Sequence, residues 1–406
     1  MDDLPTAKRR RKEKEPTNLR SFDPPPRLRP PEYQAHDFTV VPQPPGMQSV
    51  MESDAGPLYS TEEYAYNKRG YRFVPCVPRP SMNALKYTAA EAPPFQARMS
   101  YEDRNKTHML LSADATVIST QAGFRSARAN VFVNEGTWYY EVKILRGNDS
   151  ELGDAHIRAG FTRREATMEG PVGCDGYGYG IRDVGGDKVH LSRPKKFMDE
   201  SFKTGDVIGF EITIPHRSSY TPNYFRDRYP IRYKGHLFFE VLDYTPTKPM
   251  DELLTPLSVL KKKREGIDHF HPQTIPDSYI RVYKNGKDMG NAFEDLYEFL
   301  PPASKFNTPF DKRTFDDGQL GYYPTVSVFK GGVAKVNFGP DFDYPPKNKL
   351  IRPICERYDE QIGEDVALDV IDQVDFEIQD AKEQPALTKS HQQIEQRPET
   401  TPAVDA

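Results

Sequence analysis

The sequence predicts an all-β protein whose main body is one large antiparallel β-sandwich. Three observations predict it. Apolar side chains recur at every second residue in one segment after another, an Asn-Gly pair joins two such segments, and no convincing helical repeat lies between them. The 23 Tyr and 23 Phe supply rings of the kind that fill the space between two packed sheets.

The strands can be taken in order. From Thr137 to Leu145, Trp138, Tyr140, Val142 and Ile144 share one face, while Tyr139, Glu141 and Lys143 share the other. Ile157, Ala159 and Phe161 alternate with His156, Arg158 and Gly160. Ile208, Phe210, Ile212 and Ile214 alternate after the turn Thr204-Gly205-Asp206. Tyr279 to Lys284 runs into Asn285-Gly286, both of which tolerate positive φ, so a tight hairpin is expected with Gly290 to Leu296 as the returning strand. Val326 and Val328, then Ala334, Val336 and Phe338, complete the pattern. The sandwich is thus expected over residues 70–353, interrupted by a long insertion at about 215–278. The insertion holds a hairpin arm from Ile231 to Val241 and an exposed stretch carrying Lys261, Lys262, Lys263 and Arg264.

The ends read differently. Of 37 prolines, 16 fall in the first hundred residues, and only 36% of the chain is hydrophobic. Residues 1–65 are expected to be disordered, with folded structure beginning between Tyr71 and Phe95. Lys8, Arg9, Arg10, Arg11 and Lys12 form a basic cluster there, suited to nuclear import or to a plain solvated tail. Beyond the sandwich, a docking helix is expected within 360–380, from about Glu364 to Gln379. Val366, Ala367, Val370, Ile371, Val374 and Ile378 make one apolar stripe, and Asp365, Asp369 and Asp372 project from the far side. Phe376 falls on that polar side and does not fit. So short a helix needs its stripe covered, either by its own sandwich or by a partner's groove. Residues 381–406 are expected to be a disordered tail.

Charge and cysteine content narrow the function. A net charge of -5 and a pI near 6.1 argue against a general polyanion binder. Cys76, Cys174 and Cys355 are odd in number and far apart, which suits a reducing compartment and neither a disulfide framework nor a cysteine-rich zinc site. No run is long and apolar enough to span a bilayer, and Met1-Asp2-Asp3 does not open a secretory signal, so a soluble intracellular protein is expected. Catalytic signals are weak. Gly176-Tyr177-Gly178-Tyr179-Gly180 lacks the lysine of a phosphate loop and reads as a turn with tyrosines around it. His269-Phe270-His271 has no further plausible metal ligand nearby, and no Ser or Cys nucleophile sits beside a base. No active site, cofactor or metal is assigned.

Several motifs, in order, resemble a known family. They are Arg128-Ala129-Asn130, Gly136-Thr137-Trp138-Tyr139-Tyr140-Glu141, Pro171 to Tyr179, Gly205 to Phe210, Tyr283-Lys284-Asn285-Gly286 and Asn337-Phe338-Gly339-Pro340. Together they are similar to the SPRY domain of the absent-small-or-homeotic-discs-two family, over roughly residues 70 to 380. The resemblance implies a SPRY-type sandwich in a core subunit of COMPASS, or trithorax-type, histone H3 lysine-4 methyltransferases. The chain looks like a short fungal member, since no Cys/His spacing here could build the PHD-like finger of the animal members.

That resemblance implies a nuclear, non-catalytic scaffold. The sandwich would pair with a WD-repeat subunit, the terminal helix with a small dumpy-30-type dimer, and together they would stimulate a SET-domain methyltransferase acting on the nucleosome. By motif, Arg158, Arg182 and Lys188 are the candidates to hold an acidic segment of the WD-repeat partner, with Pro171 and Tyr179 shaping the pocket floor. A guanidinium fork suits carboxylates, although internal pairing with Asp175 or Asp183 is the competing use. Asn134 stands where the family has an aromatic contact, which weakens the stacking part of that expectation. Lys261 to Arg264 could touch nucleosomal DNA or simply be solvated. An adaptor of another kind, such as one serving a ubiquitin ligase, would carry a RING, coiled-coil or cullin-box segment, and none is found. A stand-alone enzyme would need polar groups converging in a concavity.

Overall fold

The computed structural model describes residues 32–38, 42–62, 66–67, 71–81, 86–149, 151, 153–217, 224–226, 228–255, 270–299 and 316–395. Lys8 to Lys12, Lys261 to Arg264 and His269 lie outside the described residues.

Strand Gly136–Arg146 is the centre of the larger, ten-stranded sheet. Val207–Ile214 pairs with it on one side, followed by Tyr279–Lys284 and Lys287–Glu294; Val333–Asn337 pairs on the other. The seven-stranded sheet runs Arg193–Lys195, Lys188–His190, Gly178–Arg182, His156–Thr162, Tyr323–Phe329, Arg125–Ala129 and Met99–Arg104. All its pairings are antiparallel. The alternation read from the sequence aims Trp138, Tyr140, Val142 and Ile144 at Ile157, Ala159 and Phe161 across the interior. Tyr140 stacks on Phe210 at 5.3 Å and meets Phe161 edge-on, and its hydroxyl donates to the Gly160 carbonyl at 2.5 Å, so this fully buried phenol is also satisfied.

The expected hairpin forms, with Asn285 at φ 50° and Gly286 at φ 76°. Its returning strand is Lys287–Glu294, starting earlier than Gly290 because the turn takes two residues. The outer face of Gly136–Arg146 is covered as well. Tyr139 and Glu141 are buried there, and Glu141 accepts from the amides of Asp343 and Tyr344 at 2.8 Å each.

Two expectations need correction, where order begins and how far the terminal helix runs. Order begins well before residue 65. Met47–Ser53 and Gly56–Thr61 form a hairpin that extends the ten-stranded sheet through Leu110–Leu111, with Leu58 fully buried. Proline content hid it, but Pro57 sits in the outer part of a sheet, where a missing donor is tolerated. The expected insertion arm forms as Arg228–Tyr233 with His236–Leu242, and it pairs with Tyr71–Pro78 to build a third, five-stranded sheet. The terminal helix is longer at both ends than expected, running Ile354–Glu395. Its first turns were missed because their apolar residues, Ile354 and Tyr358, are too few to make a stripe, yet both are buried on the sandwich. At the other end the helix continues through Ala381-Lys382-Glu383, good helix formers, where a disordered tail was expected.

Candidate interaction surfaces

Arg158 sits on the outer face of the seven-stranded sheet, in the strand whose inner face carries Ile157 and Ala159. Arg182 is directly opposite it on the neighbouring strand, so two guanidiniums share one patch. Arg158 donates to the Val172 carbonyl at 3.3 Å and lies 5.3 Å from the centre of the Phe124 ring. Its Nε has no hydrogen-bond partner and it makes no ion pair among the described residues. Burial pushes its pKa below the usual guanidinium value, with Arg182 adding to the effect and Cys174 and Asp183 opposing it.

The carboxylates expected to compete for Arg158 are used elsewhere. Asp183 accepts from the Ile157 amide and contacts His156, each at 3.0 Å; Asp175 accepts from the amides of Tyr177 and Thr167. Arg182 does have an internal partner, Asp187 at 2.5 Å. The patch can therefore take one more acidic group at Arg158, between the Phe124 ring and the half-buried loop that starts at Pro171.

The five residues expected to form this site do not all meet. Pro171, Arg158 and Arg182 are on the outer face. Tyr179 is three residues before Arg182 in the same strand and points the other way, into the core, with its ring stacked 4.4 Å from His190. Lys188 is opposite Ile181 and shares its inward face; its ammonium donates to the Ala292 carbonyl of the other sheet at 2.7 Å. Tyr179 and Lys188 are thus placed to join the sheets and not to floor the patch. The glycine-rich run explains the geometry: it turns only as far as Tyr177, then becomes strand Gly178–Arg182, where a side chain on Gly180 would collide with the Val172 carbonyl. Phe124, which the sequence reading missed, is the ring that lies beside Arg158 on this face.

The second surface is the terminal helix. Its first turns are fixed by Ile354 and Tyr358, by Arg357 gripping Glu364 at 2.7 and 2.8 Å, and by Gln361 exchanging hydrogen bonds with Asn130 and Phe132. Tyr358 also donates to Glu91 at 2.9 Å. Burial raises the Glu91 carboxyl to about 7, against the pull of Arg98.

The same helix face continues downward, but its chemistry changes. Asp365, Leu368, Asp369 and Asp372 follow at helical spacing, and they point inward. Asp369 is 2% exposed and contacts Arg226 at 3.2 Å, Arg228, and the Thr88 hydroxyl. Asp365 pairs with Arg226, and Asp372 lies 3.8 Å from Arg228. Leu368 packs on Gly318, where a methyl group would be 2.2 Å away. Half-buried Phe376 belongs to this face, so its misfit disappears. The expectation that the aspartates face solvent is overturned, because Arg226, Arg228 and Arg79 gather beneath them. Instead the apolar stripe is turned outward: Val366, Val370, Ile371, Val374 and Ile378 are 39% to 50% exposed, and Ala367 is exposed beside them.

No family model matches the chain. It is 43% identical over 355 residues to the Set1 complex component ash2 of Schizosaccharomyces pombe, covering 86% of this chain and 52% of that protein. It is 41% identical over 395 residues to the COMPASS component cclA of Colletotrichum higginsianum, covering 80% of this chain and 69% of that one. The chain thus spans about half the length of the fission-yeast relative. Among solved structures, a human SPRY domain is similar over 58% of this chain and 98% of its own, at 16% identity and a TM-score of 0.31.

Proposed function

Because the chain belongs to the Ash2 family of Set1 and COMPASS components, we propose that it is a non-catalytic scaffold subunit of a nuclear histone H3 lysine-4 methyltransferase complex. The observation that carries this reading is the outward apolar stripe. A row of β-branched side chains left in water on an ordered helix is unfavourable unless something covers it, and a small helical dimer of the dumpy-30 type has the shape and chemistry to do so. At the other surface, Arg158 and Arg182 receive an acidic segment of a WD-repeat subunit, Phe124 and Pro171 giving it apolar walls. With both partners held on one rigid body, the SET-domain subunit is ordered between them.

The test is purification of the tagged chain from its own cells with identification of the stable partners. Ile371→Asp is expected to lose the small dimer and keep the WD-repeat subunit. Recovery of the dimer at wild-type yield from that variant would overturn the assignment of the stripe.

A further inference from the structure

The outward stripe raises a question of orientation. Left to itself, an amphipathic helix tethered beside a sandwich turns its apolar side toward the protein and its acids toward water. Here the roll is reversed, so another interaction must outweigh that preference. It is found where two segments distant in sequence meet. Tyr71–Pro78 and Tyr87–Ala89 come from the amino-terminal part, and Arg228–Tyr233 comes from the insertion. Their junction presents Arg226 and Arg228, both with side chains under a tenth exposed, while Arg79 lies 3.8 Å from Asp369. Three aspartates spaced along one helix face meet these arginines, and Leu368 locks the position against Gly318.

We propose that Arg226 and Arg228 are positioning residues: they clamp the helix by its acidic row and thereby fix the roll that presents Val366, Val370, Ile371, Val374 and Ile378 outward. The insertion is then the part of the fold that sets which face of the terminal helix a partner meets. The consequence for partner binding rests on the docking role proposed above, but the clamp is a property of this chain alone. A buried carboxylate stripped of its counter-ions is strongly destabilised where it is, so losing the arginines loosens the segment.

The experiment is hydrogen exchange of the full chain, read over peptides covering 365–380 and, separately, 354–362. Arg226→Glu with Arg228→Glu is expected to speed exchange in 365–380 by at least about tenfold, while 354–362, held by Ile354, Tyr358 and Arg357, stays protected. The helix-side variant Asp365→Asn, Asp369→Asn, Asp372→Asn leaves the sandwich untouched and is expected to loosen the same peptides if the arginine variant fails to fold. Wild-type protection of 365–380 in either folded variant overturns the clamp. Ile371→Asp separates the two ideas: it should keep the protection and lose the partner. Normal partner capture by Ile371→Asp, with 365–380 loosened by the arginine variant, refutes the docking role and leaves the clamp standing.

Discussion

Arg226 and Arg228, at the start of the insertion arm, face carboxylates supplied by the same chain, whereas Arg158, in the middle strand of the seven-stranded sheet, makes no ion pair among the described residues. Both sites are partly desolvated clusters of guanidinium groups, and the difference lies in what fills them. The first is closed by Asp365, Asp369 and Asp372 and does structural work. At the second, the nearby acids Asp175 and Asp183 are engaged with backbone amides, and no described carboxylate closes on Arg158. A basic residue is thus informative about binding only when its local carboxylates are accounted for.

The sharpest way to break the comparison is to empty the closed site. Arg226→Met leaves Asp365 and Asp369 short of a counter-ion, and a loss of about 3–5 kcal/mol is expected for a buried pair broken on one side. Urea titration followed by helical circular dichroism measures it. A change below about 1 kcal/mol would show that the pair behaves as a surface one.

A second test uses the helix's first turns, where the half-buried partner is a carboxyl and not a guanidinium. Glu91 is raised from 4.5 to about 7 chiefly by burial, so the folded state keeps its proton to higher pH than the unfolded state does. Its contribution is therefore fully present below about 4.5 and is lost as pH rises through 7. Glu91→Gln should flatten that part of the stability profile, and an unchanged pH slope in thermal unfolding would contradict the assignment. The smallest effect on stability is expected at the open site. Arg158→Ala removes one hydrogen bond to Val172 and should cost about 0.5–1.5 kcal/mol, while weakening the WD-repeat contact measured by calorimetry. A dissociation constant that does not move would return Arg158 to a purely structural role.

How far all this was legible follows from the kind of signal involved. The period-two alternation through Trp138 to Ile144 and Ile208 to Ile214 announced the sandwich, because one face of each strand had to be apolar. The same parity rule places Tyr179 and Arg182, three residues apart, on opposite faces, so their separation was readable; family likeness grouped them instead. The position of Lys188 was not readable, since it depends on pairing with Ile181. The acidic row looked solvated because nothing local tells a helix that Arg226, Arg228 and Arg79 will gather beneath it. Phe376, out of place on a supposedly exposed face, was the one local sign that this face is docked.

The central claim is that the helix docks by its acids and shows its apolar stripe, and thiol labelling tests it most directly. In the free full chain, maleimide should modify Val374→Cys nearly as fast as an unfolded control and Leu368→Cys far more slowly, against a slow background from native Cys174 and Cys355, whose thiols burial raises, that of Cys174 to about 12. Slow labelling at Val374→Cys together with fast labelling at Leu368→Cys would mean that the helix lies the other way round.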